Sequence, residues 1–366
     1  MRVLVVNAGS SSLKLRLLDG HDKLECSTDL PAGPDGFDAT HLAEVLHEWD
    51  PPDVVGHRIV HGGTRFTGPV RIDKTVEQQL RDLTDLAPLH QPKSLAALDA
   101  VTARLPDAIA VASFDTAFHT TIPAAAATYA IPQQWRQRYN IRRYGFHGLS
   151  HAYCSHHAAK LLNQPVQDLR IITCHLGAGA SLAAVVEGRS IDTTMGFTPL
   201  EGLVMATRSG TVDPGLVLWL EEHEHLSPHE VATALEHRSG LTALAGTGDL
   251  RTVQARADSG DPDAALALDV YLHRLVTGIG GMTAAAGGVN VLVFTGGVGE
   301  HAATIRARAV QRLGHLGASI DTQLNDTTQG DGDITGAGAT VRTMVVTARE
   351  DLQIAREARS LLTTPP

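Results

Sequence analysis

The segment Asn7-Ala8-Gly9-Ser10-Ser11-Ser12-Leu13-Lys14 follows the apolar run 3–6 and crowds backbone N–H groups, hydroxyls and one ammonium into a single turn. Turn N–H groups form a concave anion site, and Lys14 adds a point charge. No Gly-Lys-Ser/Thr opens a helix here, so this is not a Walker A loop. A plain hairpin turn is the alternative reading. In Gly56-His57-Arg58-Ile59-Val60-His61-Gly62-Gly63, an arginine at a strand end is either a clamp for phosphate or carboxylate or an ordinary surface cation. Asp115, in Ser113-Phe114-Asp115-Thr116, comes just after an apolar run, where catalytic acids sit in open α/β sheets. It could equally cap a following turn.

Further along, Arg142-Arg143-Tyr144-Gly145-Phe146-His147-Gly148-Leu149-Ser150-His151 gathers cations, aromatics and two histidines. His147, set among glycines, has little local packing to account for it. Met205-Ala206-Thr207-Arg208-Ser209-Gly210 puts another arginine in a turn-rich stretch. Phe294-Thr295-Gly296-Gly297-Val298-Gly299-Glu300 reads as a strand running into a glycine turn before a helix, which suits a nucleotide lying against backbone. In Arg349-Glu350-Asp351, acids at the start of a helix also favour its dipole.

These residues need a frame. Strands are expected at 3–6, 13–18, 54–57, 109–113, 171–176, 182–186, 291–294 and 341–346. Helices are expected at 76–87, 94–105, 151–162, 228–236, 263–283, 304–316 and 351–361. Their alternation argues for an α/β architecture. A repeat supports two related halves: strand, Gly/Ser turn, strand over 5–20, and again over 173–188 with the same spacing from first to last glycine. Residues 20–50 read as a surface loop and a short helix, and 321–337 as a loop. The uncharged stretch 275–299 is broken by glycine pairs, so it reads as the end of a buried helix, a strand and a turn, not a membrane span.

The 366 residues allow two domains with proper cores. With 43% apolar and 19% charged residues the chain should be globular. A net charge of −10 disfavours a nucleic-acid partner but leaves room for a small anion in a local positive pocket. The three widely spaced cysteines Cys26, Cys154 and Cys174 fit neither a zinc pattern nor a disulfide framework, which implies a reducing compartment. No signal peptide or membrane partner is expected.

In this order the segments resemble the acetokinase family over nearly the whole chain, the acetate kinases of the actin/Hsp70/sugar-kinase superfamily. The resemblance implies an α/β duplicated ribonuclease-H-like fold, with two domains around a central cleft: 1–115 with 350–366, and 116–349. It implies reversible phosphoryl transfer between ATP and acetate, with Mg²⁺ (Mn²⁺ as an alternative), a cytoplasmic location and a homodimer. Arg58, Asp115, His147 and Arg208 match the catalytic groups. His90 and His175, with His147 and Arg208, match the support of the transition state. Arg58, Val60, Leu89, Phe146 and Pro199 match the acetate pocket. Ser10, Ser12, Lys14, His175, Gly177, Gly179, Asp249, Arg251, Gly296, Gly297 and Gly299 match the ATP and ADP contacts. Asn7 and Glu350 match the metal side.

The sequence departs from the family at Ala178 and Ala180, where Asn and Ser are usual, which implies two lost polar contacts to phosphate. Ala206 stands for Gly, Arg349 and Asp351 flank Glu350 in place of Asn and Glu, and Gln91 and Lys93 alter the segment after His90. Two other readings stand beside the main one: a propionate or butyrate kinase on the same fold, and a non-catalytic nucleotide-binding paralogue. Pockets discriminate one methylene by only about 1–3 kcal/mol, so sequence does not choose the acid.

Overall fold

The computed structural model describes residues 1–9, 12–33, 36–88 and 90–363. The chain packs as two compact units. The first takes Met1–Thr120, His147–Tyr153 and the segment from Arg349 onward; the second takes Thr121–Phe146 and Cys154–Ala348. His147–Tyr153 therefore lies in the first unit, although its neighbours in sequence lie in the second.

The first unit contains β1 (Val3–Ala8), β2 (Ser12–Leu18), β3 (Leu24–Gly33), β4 (Gly36–Phe37), β5 (Val54–Ile59), β6 (Val70–Arg71) and β7 (Ile109–Phe114), in the sheet order β4-β3-β2-β1-β5-β7-β6. The second contains β8 (Arg170–Leu176), β9 (Ala180–Val186), β10 (Arg189–Thr193), β11 (Val291–Thr295), β12 (Gly332–Asp333) and β13 (Arg342–Val345), in the order β10-β9-β8-β11-β13-β12. From β3 to β7, and from β10 to β13, both sheets run through two antiparallel and then two parallel pairings. The repeated hairpin in the sequence is thus one visible part of a duplicated ribonuclease-H-like sheet.

The inner strands are apolar runs because helices cover both of their faces. In the first unit Leu4, Val6, Leu15 and Val55 pack with Leu42 and Val45 of the helix Ala39–Glu48 and with Ala97 and Val101 of the helix Gln91–Arg104. Each such side chain contributes about 1.5–3 kcal/mol on burial. Phe66 and Phe114 stack beside them, ring centroids 5.1 Å apart. The terminal helix Glu350–Thr363 lies directly on β5: a Cβ on Gly56 would come within 2.6 Å of Ile354.

Three expectations change. Residues 20–50 hold a ten-residue strand, β3, before their helix. Its polar sequence hid it, because β3 pairs fully only with β2 and, apart from the buried Leu30, its positions 24–32 are exposed or half-buried. Residues 321–337 are not all loop: Asp321 caps the helix Thr322–Thr327, and β12 follows. The glycine turn after β11 is itself a short helix, Gly296–His301. Among the described residues no helix is long and apolar enough to cross a membrane.

Candidate active site

In the first unit the parallel neighbours β1, β5 and β7 end side by side, and each delivers a polar group there. Val6 pairs with His57 and Arg58 with Ser113, so Asn7, Arg58 and Asp115 fall on adjacent strand ends. Such ends are where ligands bind in open α/β sheets. Arg58 donates twice to Asp115, from Nε to Oδ1 at 3.0 Å and from Nη2 to Oδ2. Its Nη1 donates to the Ala8 carbonyl at 3.0 Å and to Asn7 Oδ1 at 3.4 Å. Asn7 Nδ2 in turn donates to Glu350 Oε2 at 2.8 Å. The fork is therefore fixed before any substrate arrives.

Asp115 is 1% exposed. Burial pushes its carboxyl above the ordinary range, the Arg58 guanidinium pulls against that, and the Glu350 charge pushes it up again. Burial alone would lower Arg58, but the charges of Asp115 and Glu350 hold it above its ordinary value. His90 precedes the helix Gln91–Arg104 and its charge acts on Asp115 in the lowering direction.

His147 has φ +56°, a conformation an L-residue adopts at a cost. Just after it, the Gly148 N–H donates to the Asp115 carbonyl at 2.8 Å, and a Cβ there would lie 2.3 Å from that oxygen. This glycine binds the start of the helix Gly148–Leu161 to the strand end carrying Asp115. Val60 is buried after β5. Lys14 lies opposite Asn7 in the β1–β2 hairpin, and Ser12 opens β2. Ser10 and Leu89 lie outside the described residues.

A divalent cation fits this corner. Asp115 and Glu350 offer hard carboxylate oxygens, and the Glu350 charge raises the cost of charge on Asp115, which a cation would offset. Among the described residues no group of three or more His, Cys, Asp or Glu could cage an ion. A Mg²⁺ held here would use these one or two carboxylates together with water and phosphate oxygens.

In the second unit a cavity of about 770 Å³ is lined by Gly177, Ala178, Asp249, Arg251 and Gly297 among others. The β8–β9 turn closes with the Gly177 N–H donating to the Gly179 carbonyl at 2.9 Å. His175 sits at the end of β8, paired with Ser181 and Thr295. Asp249 caps the helix Leu250–Asp258 and accepts from the Arg251 backbone at 3.1 Å and its Nε at 3.2 Å. Gly296 has φ +77° and its Cβ would meet the Leu176 carbonyl at 2.8 Å, so only glycine lets the turn lie on β8. Gly297 faces open space.

A sequence model of the acetokinase family matches residues 37–356. The chain belongs to the acetokinase family. The chain is 43% identical to the acetate kinase of Gloeobacter violaceus over 98% of each chain. It is 40% identical to that of Methanosarcina mazei, over 100% of this chain and 98% of the relative. Among solved structures, Porphyromonas gingivalis acetate kinase superposes with a TM-score of 0.90 at 34% identity, covering 99% of this chain and 100% of that one. A propionate kinase from Francisella tularensis gives 0.89 at 36% identity, covering 97% and 98%.

Arg208 lies in the second unit, where Nη1 donates to the Pro199 carbonyl at 3.0 Å and Nε faces Glu236 at 3.4 Å. Burial pushes this guanidinium below its ordinary value, with Glu236 pulling against it. Phe146 is buried in the same unit. The two unusual alanines differ: Ala178 lines the cavity, whereas Ala180 is fully buried in β9. Two supports of the glycine turn escaped sequence reasoning. Glu300 accepts from the Gly296 and Ala348 N–H groups at 3.0 and 2.9 Å. The buried Arg306 donates to the Gly299 and Glu300 carbonyls at 2.9 and 2.7 Å and to Asn325 Oδ1 at 2.9 Å. The adjacent Gly296–Glu300 motif was legible, but an arginine midway along a polar helix carries no signal of its own.

Proposed function

We propose that the chain catalyses reversible phosphoryl transfer from ATP to acetate, giving acetyl phosphate and ADP. The observation that carries this is the preset Arg58 fork, held by Asp115 at the ends of three adjacent strands. The locked guanidinium has one N–H left, on Nη2, and its positive charge for a second anion, and two anionic reactants need such cations to approach each other. One acetate oxygen bonds to the γ-phosphorus while its bond to the β–γ bridging oxygen breaks and ADP departs. The nucleophile is already a carboxylate, so no base is required, and Asp115 is assigned to positioning Arg58.

In this reading Arg58, Arg208, His147, His90 and His175 contact or support the equatorial oxygens, where charge spreads in a loose transition state. Val60, Leu89, Phe146 and Pro199 take the methyl group. Ser10, Ser12, Lys14, Gly177 and Gly179 face phosphates, and Asp249, Arg251, Gly296, Gly297 and Gly299 the nucleoside. Mg²⁺, or Mn²⁺ in its place, supplies charge neutralisation on the phosphates when bound near Asn7, Asp115 and Glu350. Residues 1–115 with 350–366 form the N-terminal ribonuclease-H-like domain, which carries the metal side, and 116–349 the nucleotide-binding domain.

Propionate is the second reading, because the Francisella tularensis propionate kinase is as similar in structure as the acetate kinase. A homodimer fits the helix Pro214–His223, which buries none of its own residues and leaves Leu218 57% and Trp219 46% exposed. A cytoplasmic location accords with Cys26, Cys154 and Cys174, none of them in a disulfide. Incubation with Mg-ATP and acetate, propionate, butyrate or no acid, followed by hydroxylamine trapping, tests the function. Acyl hydroxamate formed with highest efficiency from acetate supports it; a propionate maximum moves the acid; no product from any acid refutes it.

A further inference from the structure

The second unit holds a polar cluster, Tyr129, Arg143 and Glu201, that the phosphoryl-transfer reading leaves without a task. Glu201 stands two residues after Pro199 and receives donors from two distant segments. Arg143 Nη2 donates to its Oε1 at 2.7 Å, and the Tyr129 hydroxyl donates to its Oε2. Arg143 Nη1 faces the Thr193, Thr194 and Met195 carbonyls at 3.2, 3.2 and 3.1 Å. The Tyr129 oxygen accepts from the Phe197 N–H at 3.0 Å. Burial and the bond to Glu201 push the Tyr129 hydroxyl above its ordinary value, so it stays a donor. Gly196 makes room for the carboxylate, since a Cβ there would overlap Glu201 Oε2 and the Tyr129 oxygen.

The backbone gripped in this way carries residues assigned to the acid site, where the carboxylate substrate sits. The Gly196 carbonyl accepts from the Tyr144 and Gly145 N–H groups at 3.1 and 3.2 Å, just before Phe146. The Pro199 carbonyl takes Arg208 Nη1 at 3.0 Å. Arg143 precedes Phe146 by three residues and Glu201 follows Pro199 by two, so their ion pair ties the two segments together. With side chains 17% and 33% exposed, that pair adds little stability, because desolvation offsets the attraction. What it adds is direction: one carboxylate with two oxygens holds both donors in a single geometry.

We propose that Glu201 is a positioning residue that, through Arg143 and Tyr129, sets the spacing of Phe146 from Pro199 and the seat of Arg208, and so the choice of acid. This rests on the reading of Phe146, Pro199 and Arg208 as the acid site. Glu201 acts on the substrate only through segments 143–146 and 194–202. A loosened segment admits a longer acyl tail and lets Arg208 drift from the line of attack, and a misplacement of about 1 Å can cost about 10²-fold in rate. Discrimination between acids is the sensitive readout, because one methylene probes the dimensions of the pocket. Among the described residues, none of the three lines the cavity assigned to the nucleotide, so ATP affinity should not follow.

Steady-state kinetics of the full chain with acetate and with propionate tests this, on wild type, Glu201→Ala, Glu201→Gln and Tyr129→Phe, beside calorimetric titration with Mg-ATP. Glu201→Ala should lower kcat/KM for acetate by about 10- to 100-fold and lower the acetate-to-propionate ratio of kcat/KM by about threefold or more. Glu201→Gln keeps an oxygen for Arg143 and should fall between Glu201→Ala and wild type. Tyr129→Phe deletes a single oxygen and should move the ratio the same way by a smaller factor. ATP affinity should be little changed in all three. A smaller folded fraction lowers the rate with both acids alike and cannot move their ratio, so the ratio separates positioning from stability. Where Glu201→Ala does not fold, Tyr129→Phe decides on the same ratio. An active wild type whose acid ratio is unmoved in Tyr129→Phe and in any folded Glu201 variant overturns the inference alone, as does an equal loss of ATP affinity. A wild type that forms no acyl phosphate from either acid overturns the acid-site reading, and the inference with it.

Discussion

Asn7 and Glu350 are 343 residues apart in the chain, yet Asn7 Nδ2 donates to Glu350 Oε2 at 2.8 Å. The contact closes the first unit: the terminal helix returns to β5, and its first residue meets the end of β1. It also holds a carboxylate beside Arg58 and Asp115. Glu350→Gln should keep the hydrogen-bonding shape and lose the charge. The Mg²⁺ concentration needed for half-maximal activity should rise about 10- to 100-fold, with Tm little changed. An unaltered magnesium dependence would remove Glu350 from the metal side.

Arg58 should not be replaceable by lysine. Lysine keeps the charge but has no fork to lie against both Asp115 oxygens and the Ala8 carbonyl together. Arg58→Lys and Arg58→Ala should both lower kcat, the latter by about 10²–10³, or ~3–4 kcal/mol in the barrier. Steady-state kinetics at saturating ATP checks this, and a lysine variant within threefold of wild type would contradict the fork argument.

Gly148→Ala probes the link between the His147 turn and Asp115. Its new Cβ would lie 2.3 Å from the Asp115 carbonyl, too close without backbone movement. The expected cost is about 1–3 kcal/mol in stability, with a larger fall in kcat than in ATP affinity. Thermal melts and kinetics together decide it; wild-type kcat in this variant would mean that the turn does not position the site.

Acid should destabilise the fold through buried neutral histidines. Burial pushes His57 from 6.5 down to about 3, and His61 from 6.5 down to about 4. His61 Nδ1 accepts from the Gly63 N–H at 2.8 Å, which also requires the neutral ring. Both folded values are depressed, so this stability is complete above the unfolded value and is lost as pH falls from about 6.5 toward about 3 and 4. Each histidine costs up to about 1.4 kcal/mol per pH unit in that window. Tm measured from pH 7.5 to 5 should fall, and His57→Leu should flatten the slope.

The exposed row on the helix Pro214–His223 should be covered by a second copy of the chain. Trp219→Glu or Leu218→Glu should shift sedimentation from dimer toward monomer, without loss of helix content. A monomeric wild type would leave that face to another use.

The sequence alone determined the parts of this protein whose physics is local. Glycine turns flanked by apolar runs marked both hairpins, and their equal spacing marked the duplication, because a buried parallel strand needs a continuous apolar run and a tight turn needs glycine. Arg58 and Asp115 could be singled out because they follow apolar runs where open α/β sheets place ligand groups, and His147 because it sits among glycines with little local packing to account for it. Strand β3 was hidden because it is polar and near the sheet's edge, where only the two-residue β4 flanks it, and its identity comes from pairing with β2.

Only the tertiary structure decided which of these groups meet. The sheet order put the ends of β1, β5 and β7 together, so that one guanidinium could take Asp115, Ala8 and Asn7 at once. It also separated the two unusual alanines, one lining the cavity and one buried in β9. Which groups meet is a property of the sheet order and of helices returning from distant parts of the chain, and no single segment carries it.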